Sequence, residues 1–230
     1  MIITGPRLRK LSFGACCRSD LERAFMNADL WSFERECAEL GYRSVCGIDE
    51  AGRGPLAGPV CAAAVILPMG VNIEGLNDSK KLSPKKREVL YDVICEKALA
   101  YGVAMATPSE IDEFNILNAT FLAMQRAIDA LSRVPDFALI DGDKIRNIKI
   151  PARSIVKGDS LSASIAAASI LAKVSRDRYM EKLAEEYPQY CFEKHKGYPT
   201  KLHYERVEAF GLSEVHRKSF FVRYKGGVLL

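Results

Sequence analysis

Twice in this chain a four-residue apolar run ends in a carboxylate. Val45-Cys46-Gly47-Ile48 leads into Asp49-Glu50, and Phe137-Ala138-Leu139-Ile140 leads into Asp141, followed by Gly142. Short apolar runs bounded by turn residues read as buried strands. An ionised carboxylate at the end of a buried strand is costly unless it is protonated or matched by a cation. After the first pair come Ala51 and then Gly52-Arg53-Gly54-Pro55-Leu56-Ala57-Gly58-Pro59, and a second continuous apolar run from Val60 to Leu67. Adjacent strand residues point to opposite faces. Asp49 and Glu50 are therefore expected to share a site only where the strand ends or bends, and Gly52 and Gly54 permit a bend. The plain alternative is a polar turn between two strands.

The other elements follow from periodicity and punctuation. Leu21 to Leu40 reads as helical, broken near Asn27-Ala28-Asp29. Asp29 would cap the second part, with Leu30, Phe33, Cys37 and Leu40 on one face and Gly41 as the stop. Ser83-Pro84 opens a helix with Val89, Val93, Leu90 and Ile94 as its apolar stripe. Ala100 to Ala106 is a third strand. Pro108 to Phe114 is a short helical turn, and a longer helix from Leu117 turns Leu117, Phe121, Met124, Ile128 and Leu131 to one side. Ser154-Ile155-Val156 is a further strand. Lys157-Gly158-Asp159 then leads into an alanine-rich helix to about Glu186. On it Ser162, Ala166, Ser169 and Lys173 follow Asp159 along one face, and Leu161, Ile165, Ala168 and Ala172 lie opposite, toward a core. Three strands first, then two that alternate with helices and suit parallel addition, make an α/β order.

At 230 residues the chain suits one medium domain, and its formal net charge of +4 permits a polyanionic partner without demanding one. Seven scattered cysteines, with Cys16-Cys17 the one close pair, have no zinc spacing. Reduced thiols and a cytoplasmic location are expected. The basic start lacks an apolar core for a secretory signal, and no run reaches transmembrane length. Asp49, Glu50, Asp141 and Asp159, with no histidine beside them in sequence, suit hard cations such as Mg2+ or Mn2+ and not zinc. Strand-end aspartates also cap loops, so spacing alone leaves the metal site open. The same residues could belong to a two-ion phosphodiester hydrolase. Four negative charges facing phosphate would not serve a pure nucleic-acid binder. The glycine segment also lacks the Gly-Lys-Ser/Thr ending of a P-loop. His195, His203 and His216 read as structural or phosphate-contact residues. The basic run Lys80, Lys81, Lys85, Lys86 and Arg87 reads as a solvated helix face.

Several of these motifs, in this order, resemble the bacterial ribonuclease HII family. They are Gly47-Ile48-Asp49-Glu50-Ala51-Gly52-Arg53-Gly54, Leu56-Ala57-Gly58-Pro59-Val60, Asn77-Asp78-Ser79-Lys80, Asp141-Gly142, Lys157-Gly158-Asp159, and Ala166 to Val174 with Arg176-Asp177. His195-Lys196-Gly197-Tyr198 and His216-Arg217-Lys218-Ser219-Phe220 complete the set. The resemblance implies a ribonuclease H-like α/β fold, a five-stranded mixed sheet flanked by helices, occupying 29–224 between an N-terminal tail and leading helix (1–28) and a short C-terminal tail (225–230). It implies a metal-dependent endonuclease with two divalent ions, Mg2+ or Mn2+. Its substrates would be RNA–DNA hybrids and duplex DNA carrying single ribonucleotides, its products would end in 5′-phosphate and 3′-hydroxyl, and it would act as a monomer. Asp49, Glu50, Asp141 and Asp159 would be catalytic and metal-binding, with Asp49 bridging both ions. Asp159 would help hold the ion of the attacking water, and Glu50 and Asp141 would serve the leaving-group ion. Gly52, Arg53, Gly54, Lys80, Ser169, Lys173 and Tyr198 would bind substrate. Two departures stand out: Ser160-Leu161-Ser162 follows Asp159 where the family often has a basic residue, and the chain ends soon after Phe220. The related ribonuclease HIII generally has glutamate at the fourth acidic position and a separate amino-terminal domain.

Overall fold

The computed structural model describes residues 29–76, 79 and 82–221. The expectations for 1–28, Lys80 and 225–230 lie outside them. Five strands form one mixed sheet in the order β3-β2-β1-β4-β5. Strands β1 (Val45–Ala51), β2 (Val60–Ile66) and β3 (Ala100–Ala106) are an antiparallel meander, and β4 (Phe137–Asp141) and β5 (Ala152–Ile155) add in parallel beyond β1. Every residue of β2 is buried, which is why it reads as an unbroken apolar run.

Helix α1 (Ser32–Glu39) precedes the sheet, α2 (Pro84–Lys97) links β2 to β3, and α3 (Pro108–Asp129) follows β3. Helix α4 (Ala163–Glu186) leads to a C-terminal block of α5 (Phe192–His195), α6 (Lys201–Phe210) and α7 (Lys218–Phe221). Alternate residues of β2 supply both faces of the sheet. Ala62 and Ala64 pack with Phe121, Met124 and Ile128 of α3. Ala63 and Val65 pack with Ala167, Ile170 and Leu171 of α4 and with Leu90 and Ile94 of α2. The small side chains of α4 bring its backbone hard against β1: a Cβ at Gly47 would stand 2.1 Å from the carbonyl carbon of Ser164.

Several expectations change. No helix separates β4 from β5; ten residues of irregular chain make that crossover. Strand β5 covers Ala152–Ile155, and Val156 is exposed. Leu40 and Val89 also face solvent, leaving Cys37 of α1 and Leu90 and Ile94 of α2 as the buried positions. Helix α4 begins at Ala163, after a separate 3-10 turn at Gly158–Ser160. Its first ten residues are all buried, so no polar face is solvated there. The break expected between Phe114 and Leu117 is found at Asn115 (φ 67°, ψ 162°), whose side chain accepts from the N–H groups of Leu117 and Asn118. Among the described residues no helix is long and apolar enough to cross a membrane.

Candidate active site

Strands β1 and β4 run parallel, with Ile48 beside Ile140 as their last paired positions. One residue further on, Asp49 and Asp141 stand next to each other at the carboxyl ends. Strand β1 does not end before its carboxylates, as the sequence suggested. It continues to Ala51, with Asp49 opposite Ala63 and Glu50 opposite Ala62. The pleat therefore sends Asp49 to the α4 face and Glu50 to the α3 face. Asp49 is 4% exposed. Its Oδ1 accepts from the Glu50 N–H at 2.7 Å, and the Ser169 hydroxyl donates to the carboxylate. Burial, then the charges of Glu50 and Asp141, push the Asp49 carboxyl well above the usual range, and these two hydrogen bonds offset that only in part. Glu50 lies near Asp141 along a small cleft beside Leu117 and Phe121 of α3, and the Arg53 guanidinium approaches it at 3.5 Å.

Asp159 enters from the 3-10 turn and is buried. The turn is tied to β4, because Asp141 Oδ1 accepts from the Gly158 N–H at 2.6 Å. Lys157, in the left-handed region at φ 59°, makes the sharp entry. The donor set is all oxygen, which suits a hard divalent cation. Among the described residues no three carboxylate, histidine or cysteine side chains close around one point.

The segment from Gly52 to Pro59 is rich in carbonyls that no ladder can use, and two arginines take them. Arg217 donates from Nη2 to Gly52 O (2.6 Å), from Nη1 to Arg53 O (2.9 Å) and from Nε to Gly58 O (2.9 Å). Arg176 donates from Nε to Pro59 O (3.0 Å) and from Nη2 to Ala57 O (3.2 Å). Both side chains are fully buried. Gly52 has φ +95°, and a Cβ there would lie 2.0 Å from Arg176 Nε, so only glycine fits. Gly54 faces Tyr198, its Cβ position 3.9 Å from Tyr198 Cε1. Tyr198 is 38% exposed, with Arg176 and Lys173 each just under 6 Å from its ring centre.

The other expected contacts divide. Lys173 is paired with Asp177 at 2.7 Å. Ser169 is 3% exposed, and its hydroxyl is engaged by Asp49 and by Ser79 at 2.8 Å. The three histidines are buried together, stacked or hydrogen-bonded, away from the carboxylates. The sequence places Ser79, Arg176 and Arg217 within the resembling motifs but gives none of them a role. A segment with two prolines and three glycines has more carbonyls than partners, and that was the available signal for buried donors. Sequence reading also passed over Glu34 of α1, which is buried and accepts from Ser162 Oγ (2.6 Å) and Ser164 N–H (3.0 Å) at the start of α4.

A sequence profile of ribonuclease HII matches residues 46–225. A ribonuclease HII of Caldicellulosiruptor saccharolyticus is 53% identical over 195 residues, spanning 85% of this chain and 95% of that one. The crystal structure of ribonuclease H2 from Pyrococcus horikoshii OT3 superposes with a TM-score of 0.64 at 29% identity, covering 77% of this chain and 93% of the other. Bst-RNase HIII, solved in complex with Mn2+, matches in fold at 21% identity and a TM-score of 0.57, over 76% of this chain and 65% of its own. The mixed five-stranded sheet is thus of the ribonuclease H-like kind.

Proposed function

The chain belongs to the ribonuclease HII family, and we propose that it cuts the RNA strand of RNA–DNA hybrids and also duplex DNA at single embedded ribonucleotides. It is an endoribonuclease. The observation that carries the reading is the placement of Asp49 beside Asp141 at adjacent parallel strand ends, with Glu50 and the Asp159 turn next to them. A buried carboxylate whose pKa is raised by neighbouring negative charge, as at Asp49, is poised to take up positive charge. Asp49, Glu50, Asp141 and Asp159 would hold two divalent ions, Mg2+ or Mn2+. Bound there, such ions would neutralise phosphate charge and make a bound water more acidic.

The protein's own groups do the remaining work. Ser169, backed by Ser79, donates to Asp49 and keeps it oriented as an acceptor. Asp141 fixes the Asp159 turn through Gly158. Gly52, Arg53 and Gly54 present backbone to the ribose, and Tyr198 stacks on the sugar that follows. Reading RNA against DNA means reading the 2′-hydroxyl, which both donates and accepts. Cleavage leaves 5′-phosphate and 3′-hydroxyl ends. The catalytic unit spans 29–224 and acts as a monomer. The free thiols of Cys37, Cys46, Cys61, Cys95 and Cys191 support a reducing, cytoplasmic setting.

The test is cleavage of a duplex containing one ribonucleotide, and of a continuous hybrid, with Mg2+, with Mn2+ and with chelator. Cutting of both substrates only in the presence of metal is expected. Undiminished cutting in excess chelator would overturn the metal-dependent reading. An intact single-ribonucleotide duplex alongside a cleaved hybrid would overturn the substrate assignment.

A further inference from the structure

We propose that Arg176 and Arg217 are positioning residues for ribonucleotide recognition: a buried pair of guanidinium groups that sets the Gly52–Gly54 backbone against Tyr198. The proposal rests on the recognition role given above to that backbone and that ring.

Both arginines are fully buried, and among the described residues neither has a carboxylate within ion-pair distance. Burying a cation this way costs several kcal/mol by rough estimate, and apolar side chains would fill the same volume at no such cost. What the guanidinium supplies is a rigid fork of five N–H donors, matched here to carbonyls instead of a carboxylate. Arg176 donates to Ala57 and Pro59 on one loop and to Lys196 O, at 3.1 Å, on the other. Tyr198 lies two residues beyond Lys196, with its ring 5.8 Å from the Arg176 guanidinium carbon. One side chain from the middle of α4 therefore ties the glycine loop to the tyrosine loop. The direct link between these loops, Leu56 N–H to Gly197 O at 2.8 Å, runs alongside it.

Arg217 has a more specific consequence. In a trans peptide the C=O and the N–H of the next residue lie in one plane and point in opposite directions. Drawing Gly52 O and Arg53 O inward onto Arg217 therefore turns the N–H groups of Arg53 and Gly54 outward. Gly54 is the residue that faces the Tyr198 ring. The two donors that can meet a ribose hydroxyl are thus aimed by a side chain that need never touch the substrate. A lysine at 217 would offer three donors from one point and could not hold three carbonyls spread over Gly52, Arg53 and Gly58.

The measurement is discrimination, not overall rate. In an Asp141→Asn parent that binds without cutting, affinity is compared for a duplex with one ribonucleotide and for the all-deoxy duplex, with Mg2+ present. Arg217→Lys is expected to lower that ratio about 10-fold, the scale of a lost orientation. Its affinity for the all-deoxy duplex should stay within about 2-fold of the parent's. Arg176→Lys should do the same, and Arg217→Met should lower the ratio further than lysine. Melting curves accompany each variant, so that a poorly folded Arg217→Met leaves the two lysine variants to decide. A parent with no preference for the ribonucleotide defeats the recognition role itself. A discriminating parent with equally discriminating lysine variants defeats the present proposal alone. Equal loss of affinity for both duplexes makes the arginines purely structural and likewise overturns it.

Discussion

The carboxyl end of β1 and the histidine block under Tyr198 both bury titratable groups, and they satisfy them in opposite ways. At the strand end burial and the charges of Glu50 and Asp141 raise the proton affinity of Asp49, and hydrogen bonds offset only part of the cost. In the histidine block every ring nitrogen has a neutral partner. His203 Nδ1–H donates to Tyr198 O at 3.0 Å, so its Nε2 accepts from His216 Nε2–H at 3.1 Å. His216 Nδ1 then accepts from Ser213 N–H and Oγ–H. His195 Nε2–H donates to Tyr190 O, and its Nδ1 accepts from Gly197 N–H. The first region gathers negative charge that a cation would offset. The second is complete as it stands, and adding a proton breaks it. Ionisable residues mark function where like charges are gathered, and architecture where charge has been removed.

The largest effect that tests this contrast is at Asp141. Asparagine keeps the acceptor for the Gly158 N–H but deletes the charge. Asp141→Asn should lower cleavage about 1,000-fold, roughly 4 kcal/mol of lost electrostatic stabilisation. In chelator its melting temperature should equal or exceed the parent's, because a repulsive neighbour of Asp49 has gone. Near-parental activity would remove Asp141 from the catalytic set, and a lower melting temperature would show that the strand end is not under repulsion.

Next is the pH response of the histidine block. Burial pushes His203 down to about 4 and His216 to about 3, each further lowered by the neighbouring rings. Above the unfolded value near 6.5 both folded and unfolded chains are neutral there, and the contribution is complete. As pH falls below 6.5 the unfolded chain takes up protons that the folded chain refuses, so stability falls until the folded values are reached. On the order of 3 kcal/mol should be lost between pH 6.5 and 5, where ordinary carboxylates contribute little. Calorimetry across that interval should show a steep fall for the parent and a shallower one for His203→Asn. A flat parent profile would mean that the histidines are not held neutral.

At Tyr198 the expected effect is smaller and selective. Tyr198→Ala should reduce cleavage at a single ribonucleotide about 10-fold, with less change on a continuous hybrid. Half-exposure of the ring and the backbone origin of the Tyr198 hydrogen bonds to His203 and Thr200 leave little for alanine to destabilise. Parallel failure on both substrates with a lower melting temperature would assign the ring to the architecture of the histidine block instead.

How much of this was legible in the sequence follows from how local each feature is. The strands delivering Asp49 and Asp141 were readable because a buried strand needs a short apolar run. Capping marked the start of α2, where Ser83 accepts from the Lys86 N–H, while the Thr107 capping box that opens α3 was not read. The solvated faces were misjudged where partners come from afar. Val89 lies on the wrong side of α2, and the polar stripe of α4 is buried because Glu34 and Asp49 reach it from α1 and β1. Arg217 was invisible for the same reason: its partners at Gly52 and Gly58 lie more than 150 residues away. Periodicity reports burial, and it says nothing about which distant carbonyl a buried cation will find.

The smallest effect is at Lys173, which sits between the two regions. As a phosphate contact it would lower the salt dependence of binding by a slope of about one contact when replaced by alanine. Its ion pair with Asp177 at 2.7 Å argues for a different outcome. The amine is only partly exposed and lies 5.9 Å from the Tyr198 ring centre, so it fixes the ring as much as it offers charge. Lys173→Ala should therefore weaken binding about 3-fold or less, with the loss confined to the single-ribonucleotide duplex and the salt slope shifted by well under one contact. Asp177→Asn separates the alternatives, because it frees the amine without removing it. A slope that steepens in Asp177→Asn and flattens in Lys173→Ala would show that Lys173 does reach phosphate. Unchanged slopes in both would place it with the groups that hold Tyr198.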